Sequence, residues 1–220
     1  MKKIFAMLLA LVMVLSMVAC QPSNAPTTPT DSSKPADNTS TPADPGTTGG
    51  SNSMAVCLAS EPDTIDPALN SAVDGATLLA HLFSGLAKWS QDANGALVIA
   101  PDAAEELVEG VMNDDGTVSY TYTLREGMKW SDGKDVTASD FVFAWKRAAS
   151  EELGADYGYM FEVVKGHPND LAISAPDDRT FEVTLTNTVA YWNELLAFPT
   201  FFPVREDVVS NEAWATDAST

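Results

Sequence analysis

The stretch from Thr117 to Arg147 constrains the fold more than any other part of the chain. Val118, Tyr120, Tyr122 and Leu124 alternate with Ser and Thr, the two-residue period of a half-buried strand. Arg125 to Asp135 then carries the turn-forming pairs Glu126-Gly127 and Asp132-Gly133. Thr137 and Asp140 stand three apart, ahead of an apolar-periodic run, as in the reciprocal cap that starts a helix. Phe141, Trp145 and Ala148 follow at spacings that put them on one helical face. A strand, a polar loop and a helix are therefore expected in that order.

The same alternation predicts other elements. Thr180 to Thr186 reads as a strand, with a turn at Asp177-Asp178 before it. Leu86–Trp89 and Ala96–Ala100 flank Asn94-Gly95 and read as a hairpin. Asn113-Asp-Asp-Gly116 is a turn into the Val118 strand. The apolar run Met54–Ala59 reads as a buried strand, with Cys57 as a small buried hydrophobe. Two prolines make Glu61-Pro-Asp-Thr-Ile-Asp-Pro67 a loop. Helices are expected over Ala76–Leu86, ended by Gly85, over a short segment from Pro101, over Ala190–Ala197, and over Glu206–Ala215. Phe198-Pro-Thr-Phe-Phe-Pro-Val204 reads as extended, and no period places the aromatic segment Tyr157–Lys165.

The N-terminal quarter has a different composition. Two lysines follow Met1, and Ile4 to Ala19 is apolar except for Ser16. That is short for a membrane span, which needs about 20 residues, and has the form of a secretory signal. Its end, Met17-Val-Ala-Cys20, resembles a bacterial lipobox, with Met17 where Leu is usual. That resemblance implies lipidation of Cys20 and removal of residues 1–19. Residues 20–53 are dominated by Pro, Thr, Ser, Asn, Asp and Gly, a composition that cannot offset chain entropy by burial. They are expected to form a disordered tether, with a folded domain from 54 to 220.

Charge and motif content narrow the function. Asp+Glu number 31 against 12 Lys+Arg, a net charge of −19, which argues against nucleic acid. Two cysteines and two distant histidines, His81 and His167, suggest neither a disulfide scaffold nor a metal site. The sequence holds no nucleophile elbow, zinc-protease motif, phosphate loop or dinucleotide fingerprint, so no cofactor and no catalytic residue is assigned. Acidic neighbours such as Glu105/Glu106 and Asp114/Asp115 read as solvated turns and helix faces.

Four segments together carry a family resemblance. They are Leu124-Arg-Glu-Gly-Met-Lys-Trp-Ser-Asp-Gly133 with Val136-Thr-Ala-Ser-Asp-Phe-Val-Phe-Ala-Trp-Lys-Arg147, the Glu61–Pro67 loop, Leu82-Phe-Ser-Gly-Leu86, and Asp177-Asp-Arg-Thr-Phe-Glu-Val-Thr-Leu185. The chain resembles the oligopeptide/dipeptide/nickel family of solute-binding proteins of ABC transporters. This implies a mixed α/β chain, the N-terminal portion of a two-lobed periplasmic-binding-protein-like fold of type II, with an excursion subdomain over about residues 84–205. Relatives continue beyond the matching point of Thr220 into a longer second lobe, so the chain reads as a leading fragment that alone would not hold ligand with native affinity.

The resemblance also implies the function: capture of oligopeptides outside the membrane and delivery to permease and ATPase subunits. By resemblance, the main chain of Ser71, Ala72 and Val73 lies along the ligand, Phe143 stands near it, and Phe198 returns to the cleft. Phe143 and Phe198 read equally well as plain core. Dipeptide, nickel-complex or oligosaccharide ligands are alternatives within the family. A surface-tethered hydrolase or adhesin is the alternative outside it.

Overall fold

The computed structural model describes residues 55–211 together with 214 and 215. The readings of a signal segment, of Cys20 and of a tether over 20–53 lie outside the described residues. In chain order the elements are α1 (Val73–Leu82), β1 (Ala87–Gln91), β2 (Leu97–Pro101), β3 (Val111–Met112), β4 (Val118–Thr123) and α2 (Ala138–Ala149). A 3₁₀ turn (Gly158–Val163), β5 (Ile173–Ser174), β6 (Thr180–Leu185), α3 (Trp192–Leu196), a second 3₁₀ turn (Pro199–Phe201) and α4 (Glu206–Val209) follow.

Four strands form one antiparallel sheet in the order β3-β4-β6-β5, and β1 and β2 form a separate hairpin. The register follows from the alternation in the sequence. Tyr120 faces Val183 and Tyr122 faces Phe181 across the β4–β6 pair. Val118, Tyr120, Tyr122, Phe181, Val183 and Leu185 are all buried, while Thr121, Thr123 and Glu182 on the opposite face are exposed. A one-residue slip would exchange these two sets, so burial fixes the pairing. Both tight turns take the glycine their backbone needs: Gly95 and Gly116 have φ of 81° and 83°.

Helix α2 covers the apolar face. Its start is the expected capping box: the Asp140 carboxylate accepts from the Thr137 N–H at 2.9 Å. The same carboxylate oxygen accepts from Trp130 Nε1–H at 3.2 Å, so the preceding loop is tied to the helix start. Phe141, Ala144, Trp145 and Ala148 are buried. Trp145 is the hub of the core. Its ring meets Phe181, Phe201, Phe161 and Trp192 with centroid separations of 4.7, 5.1, 5.6 and 6.0 Å, three of them close to edge-on, at 72° to Phe181, 85° to Phe201 and 83° to Trp192. Its Nε1–H donates to the Phe201 carbonyl at 2.9 Å. Trp192 Nε1–H in turn donates to the buried Tyr122 hydroxyl at 2.9 Å. Both indole donors are therefore satisfied inside the core, as burial requires.

Several expectations are corrected. Residues 55–58 pair with no described strand, and Val56 is 68% exposed. An apolar run becomes a strand only where a neighbour takes its backbone groups, and here none does. Cys57 is consequently exposed rather than buried. The segment from Pro101 is not helical, because its amides go across to other segments. The N–H groups of Asp102 and Ala103 donate to Leu86 and Gly85 carbonyls, and that of Glu105 donates to Thr123. Helix α1 starts three residues earlier than expected and stops at Leu82, with Phe83 already extended at φ −122°. Gly85 does not end it. A Cβ on Gly85 would lie 2.6 Å from the Phe202 ring and 2.9 Å from the Leu196 carbonyl, so this glycine permits close packing. Phe198–Val204 is extended at its ends, with a 3₁₀ turn at Pro199–Phe201, and the regular part of the last helix is confined to Glu206–Val209. The Tyr157 segment contains the 3₁₀ turn Gly158–Val163, which has neither the strand nor the α-helix period.

Two outcomes follow from this core. Trp145→Ala should lower unfolding free energy by about 3–5 kcal/mol in urea denaturation; a loss below about 1 kcal/mol would remove Trp145 as the hub. Burial pushes the Tyr122 hydroxyl well above the ordinary tyrosine value. The neutral phenol is then favoured in the folded state, so its stability contribution is intact below pH of about 10 and falls as pH rises past it. The urea midpoint should therefore decline more steeply above that pH in the native protein than in Tyr122→Phe. Parallel declines would contradict this.

Candidate functional site

The loop from Glu61 to Asn70 is built around Asp66, which is 1% exposed. Pro62 and Pro67 keep this segment out of helix. The Thr64 hydroxyl accepts from the Asp66 N–H at 3.0 Å, Asp66 Oδ1 accepts from the Ala68 N–H at 2.9 Å, and the Asp66 carbonyl accepts from the Leu69 and Asn70 N–H groups at 3.1 and 2.9 Å. The remaining capacity of the carboxylate goes to α2. Arg147 donates through both terminal nitrogens, at 3.0 Å to Oδ1 and 2.6 Å to Oδ2. Two parallel charge-assisted hydrogen bonds of this kind fix orientation as well as distance.

Asn70 continues the chain of contacts. It is buried, and its Nδ2 donates to the Ala72 carbonyl at 3.0 Å. Gly75 lies against its side chain: a Cβ there would be 1.9 Å from Asn70 Oδ1. Beyond this, Ser60 donates its hydroxyl to Asp74, which holds that carboxyl below its usual range.

The segment so held is Ser71-Ala72-Val73. Ser71 is exposed, and Ala72 is extended at φ −105°, ψ 151°. Val73, 84% exposed, is the first residue of α1. The Ala72 carbonyl is occupied by Asn70 and by the Ala76 N–H. Among the described residues, the Ser71 N–H and carbonyl and the Ala72 N–H have no backbone partner. A free donor and acceptor on one residue, here Ser71 beside the extended Ala72, are the two groups that a strand residue exchanges in a narrow hydrogen-bonded pair.

The aromatic candidates separate. Phe198 is half-buried and meets the Tyr157 ring edge-on, with centroids 5.1 Å apart; Tyr159 follows at 6.4 Å from Tyr157 and is 56% exposed. The 3₁₀ turn that begins after Phe198 packs against α1, so Phe198 and the Ser71–Val73 segment belong to adjoining elements. Phe143 is half-buried against the core and lies one turn before Arg147, on the same flank of α2. It makes no ring contact with Phe198 among the described residues. Tyr157 and Tyr159 escaped sequence reasoning. Their signal was the aromatic content of an aperiodic segment.

A separate cleft of about 380 Å³ lies between Phe83, Trp130, Trp214 and Val208. Its rim is locked by charge. Arg205 donates to Asp132 at 2.6 Å and to Asp207 at 2.8 Å, and Lys134 donates to Asp207 at 2.7 Å. Hydrogen bonds from Arg205 hold both carboxyls below their usual range. One member of each acidic pair singled out in the sequence is also engaged. Thr117 and Lys165 bring Asp115 down to about 2, and Glu105 pairs with Arg179. Among the described residues no group of three His, Cys, Asp or Glu side chains could hold a metal ion.

The chain is 31% identical over 180 residues to the oligopeptide-binding protein OppA of Bacillus subtilis, an alignment covering 77% of this chain and 31% of that protein. It is 34% identical over 169 residues to a probable deoxycholate-binding periplasmic protein, YgiS, of Escherichia coli, covering 71% and 30%. Among solved structures, Listeria monocytogenes OppA bound to peptide superposes with a TM-score of 0.60 at 37% identity, covering 71% of this chain and 31% of that one. The mixed α/β fold is thus that of a portion of such substrate-binding chains, and the chain spans about a third of the length of the curated relatives it matches. Residues 98–219 match the family described as bacterial extracellular solute-binding proteins, family 5. The chain belongs to that family.

Proposed function

We propose that this chain supplies one wall of an oligopeptide receptor, lipid-anchored at Cys20 on the outer face of the cytoplasmic membrane, that passes its cargo to permease and ATPase subunits of an importer. The observation that carries this reading is the exposed backbone at Ser71, its N–H and carbonyl without a backbone partner among the described residues, next to the extended Ala72. Main-chain pairing recognises any peptide regardless of side chains, which suits a receptor for varied cargo. Phe198, with Tyr157 against it, offers an apolar surface on the adjoining element, and Phe143 supports the flank of α2 that carries Arg147. The similarity to peptide-binding relatives supports the same reading. Binding of this kind involves no covalent step: ligand is held by hydrogen bonds and by exclusion of water, and is released unchanged.

The lipobox-like Met17–Cys20 supports the anchor. A receptor released outside the membrane would diffuse away, and one acyl chain holds only marginally while two or more hold stably. A tether over residues 20–53 would let the folded part reach both ligand and permease.

Two measurements test the reading. Ser71→Pro deletes the N–H and should weaken peptide binding about tenfold or more, the order of one lost hydrogen bond. Ser71→Ala, which keeps the backbone, should leave affinity within about twofold. Equal affinity for both variants in calorimetry would remove Ser71 from the site. Cells fed labelled palmitate should incorporate label into the wild type and not into Cys20→Ser; label retained in the variant would place the lipid elsewhere or nowhere.

A further inference from the structure

An unbroken line of hydrogen bonds runs from α2 to the Ser71–Val73 segment. Arg147 grips both carboxylate oxygens of Asp66, the Asp66 carbonyl accepts from the Asn70 N–H at 2.9 Å, and Asn70 Nδ2 donates to the Ala72 carbonyl at 3.0 Å. Each side chain in this line is largely buried: Asp66 is 2% exposed and Arg147 16%, and Asn70 as a residue is 6% exposed. At its far end stands the aromatic core. Two residues before Arg147, Trp145 is locked among four aromatic rings and bonded to the Phe201 carbonyl. At its near end stands the peptide group that follows Ala72.

We propose that Arg147 is a positioning residue for ligand: through Asp66 and Asn70 it sets the orientation of the Ala72 peptide, and hence the direction in which the free Ser71 N–H and carbonyl are offered. The proposal rests on the peptide-pairing reading of Ser71. Three features support it. The guanidinium fork defines a plane, so it fixes the rotation of the Asp66 carboxylate and not only its distance. Gly75 lets the Asn70 side chain lie directly against the start of α1, since a Cβ there would fall 1.9 Å from its Oδ1. Arg147 also lies in the last turn of α2, where the unpaired carbonyls favour a cation, so the anchor itself is held. A lysine at this position keeps the charge but offers a point donor, which leaves the carboxylate free to rotate.

The test is local amide exchange on the whole protein, paired with peptide affinity. In Arg147→Lys the Ala68, Asn70 and Ala76 amides, whose acceptors lie in this line, should exchange about tenfold faster or more, while the Tyr122 and Val183 amides of the central sheet stay within about twofold. Affinity for a mixed peptide pool should fall about tenfold in the same variant. Exchange that quickens equally in the sheet and in the loop would make Arg147 a global stabiliser and overturn the proposal, as would unchanged loop exchange. A wild type that binds no peptide would overturn the reading of Ser71 while exchange still decides the strap. If Arg147→Lys fails to fold, the neutral pair Asp66→Asn/Arg147→Met removes the fork without leaving a buried charge, and the same comparison of loop against sheet applies.

Discussion

A buried carboxylate must be fully engaged or it destabilises the fold, and Asp66 is engaged at every side. It is almost inaccessible, and it receives one backbone donor and both arms of Arg147. Removing one partner of such a pair costs about 3–5 kcal/mol, because the other is left charged and unpaired away from water. The loop that precedes α1 and the helix that covers the sheet therefore cannot adopt their positions independently. Among the described residues this pair is the charged tie between the loop before α1 and the helix over the sheet.

The other end of the arrangement is aromatic. Trp145, Phe161, Phe181, Trp192 and Phe201 form one interlocked group beneath α2, and two indole donors are satisfied within it. This gives α2 two roles on two flanks. Its Phe141–Trp145–Ala148 stripe is core, and its Phe143–Arg147 flank faces the task of holding the Asp66 loop. Polar capping at its start, where Asp140 collects Thr137 and Trp130, ties the long loop before it to the same rigid body.

Much of this was legible in the residues. Strict alternation in Val118–Thr123 and Thr180–Leu185 has one physical solution when one face is buried, and both strands form with the matching register. Thr137 and Asp140 announced the helix start, and Asn94-Gly95 the hairpin. What failed had a common cause. The apolar run through Val56 and the acid-rich segment from Pro101 were read from local composition, but their fates depend on distant backbone partners, absent for the first and abundant for the second. The Asp66–Arg147 pair, separated by 81 residues, has no local signal at all. Phe143 and Phe198 were open to two readings, ligand-side aromatic or plain core, and both are half-buried. Tyr157 was not, because a 3₁₀ turn follows neither the strand nor the α-helix period.

The functional reading joins this scaffold to an open main chain. Acidic side chains are spent on turns, caps and ion pairs: Asp115, Asp132, Asp177 and Asp207 all sit below their usual range because hydrogen bonds hold them ionised. Among the described residues, the backbone N–H and carbonyl of Ser71 have no backbone partner. The most direct test is to purify the protein gently from its own cells, denature it and identify what it releases by mass spectrometry. Peptides of varied sequence and unmodified termini are the predicted result. A single sterol-like compound, a metal complex, or no ligand at all would contradict the account.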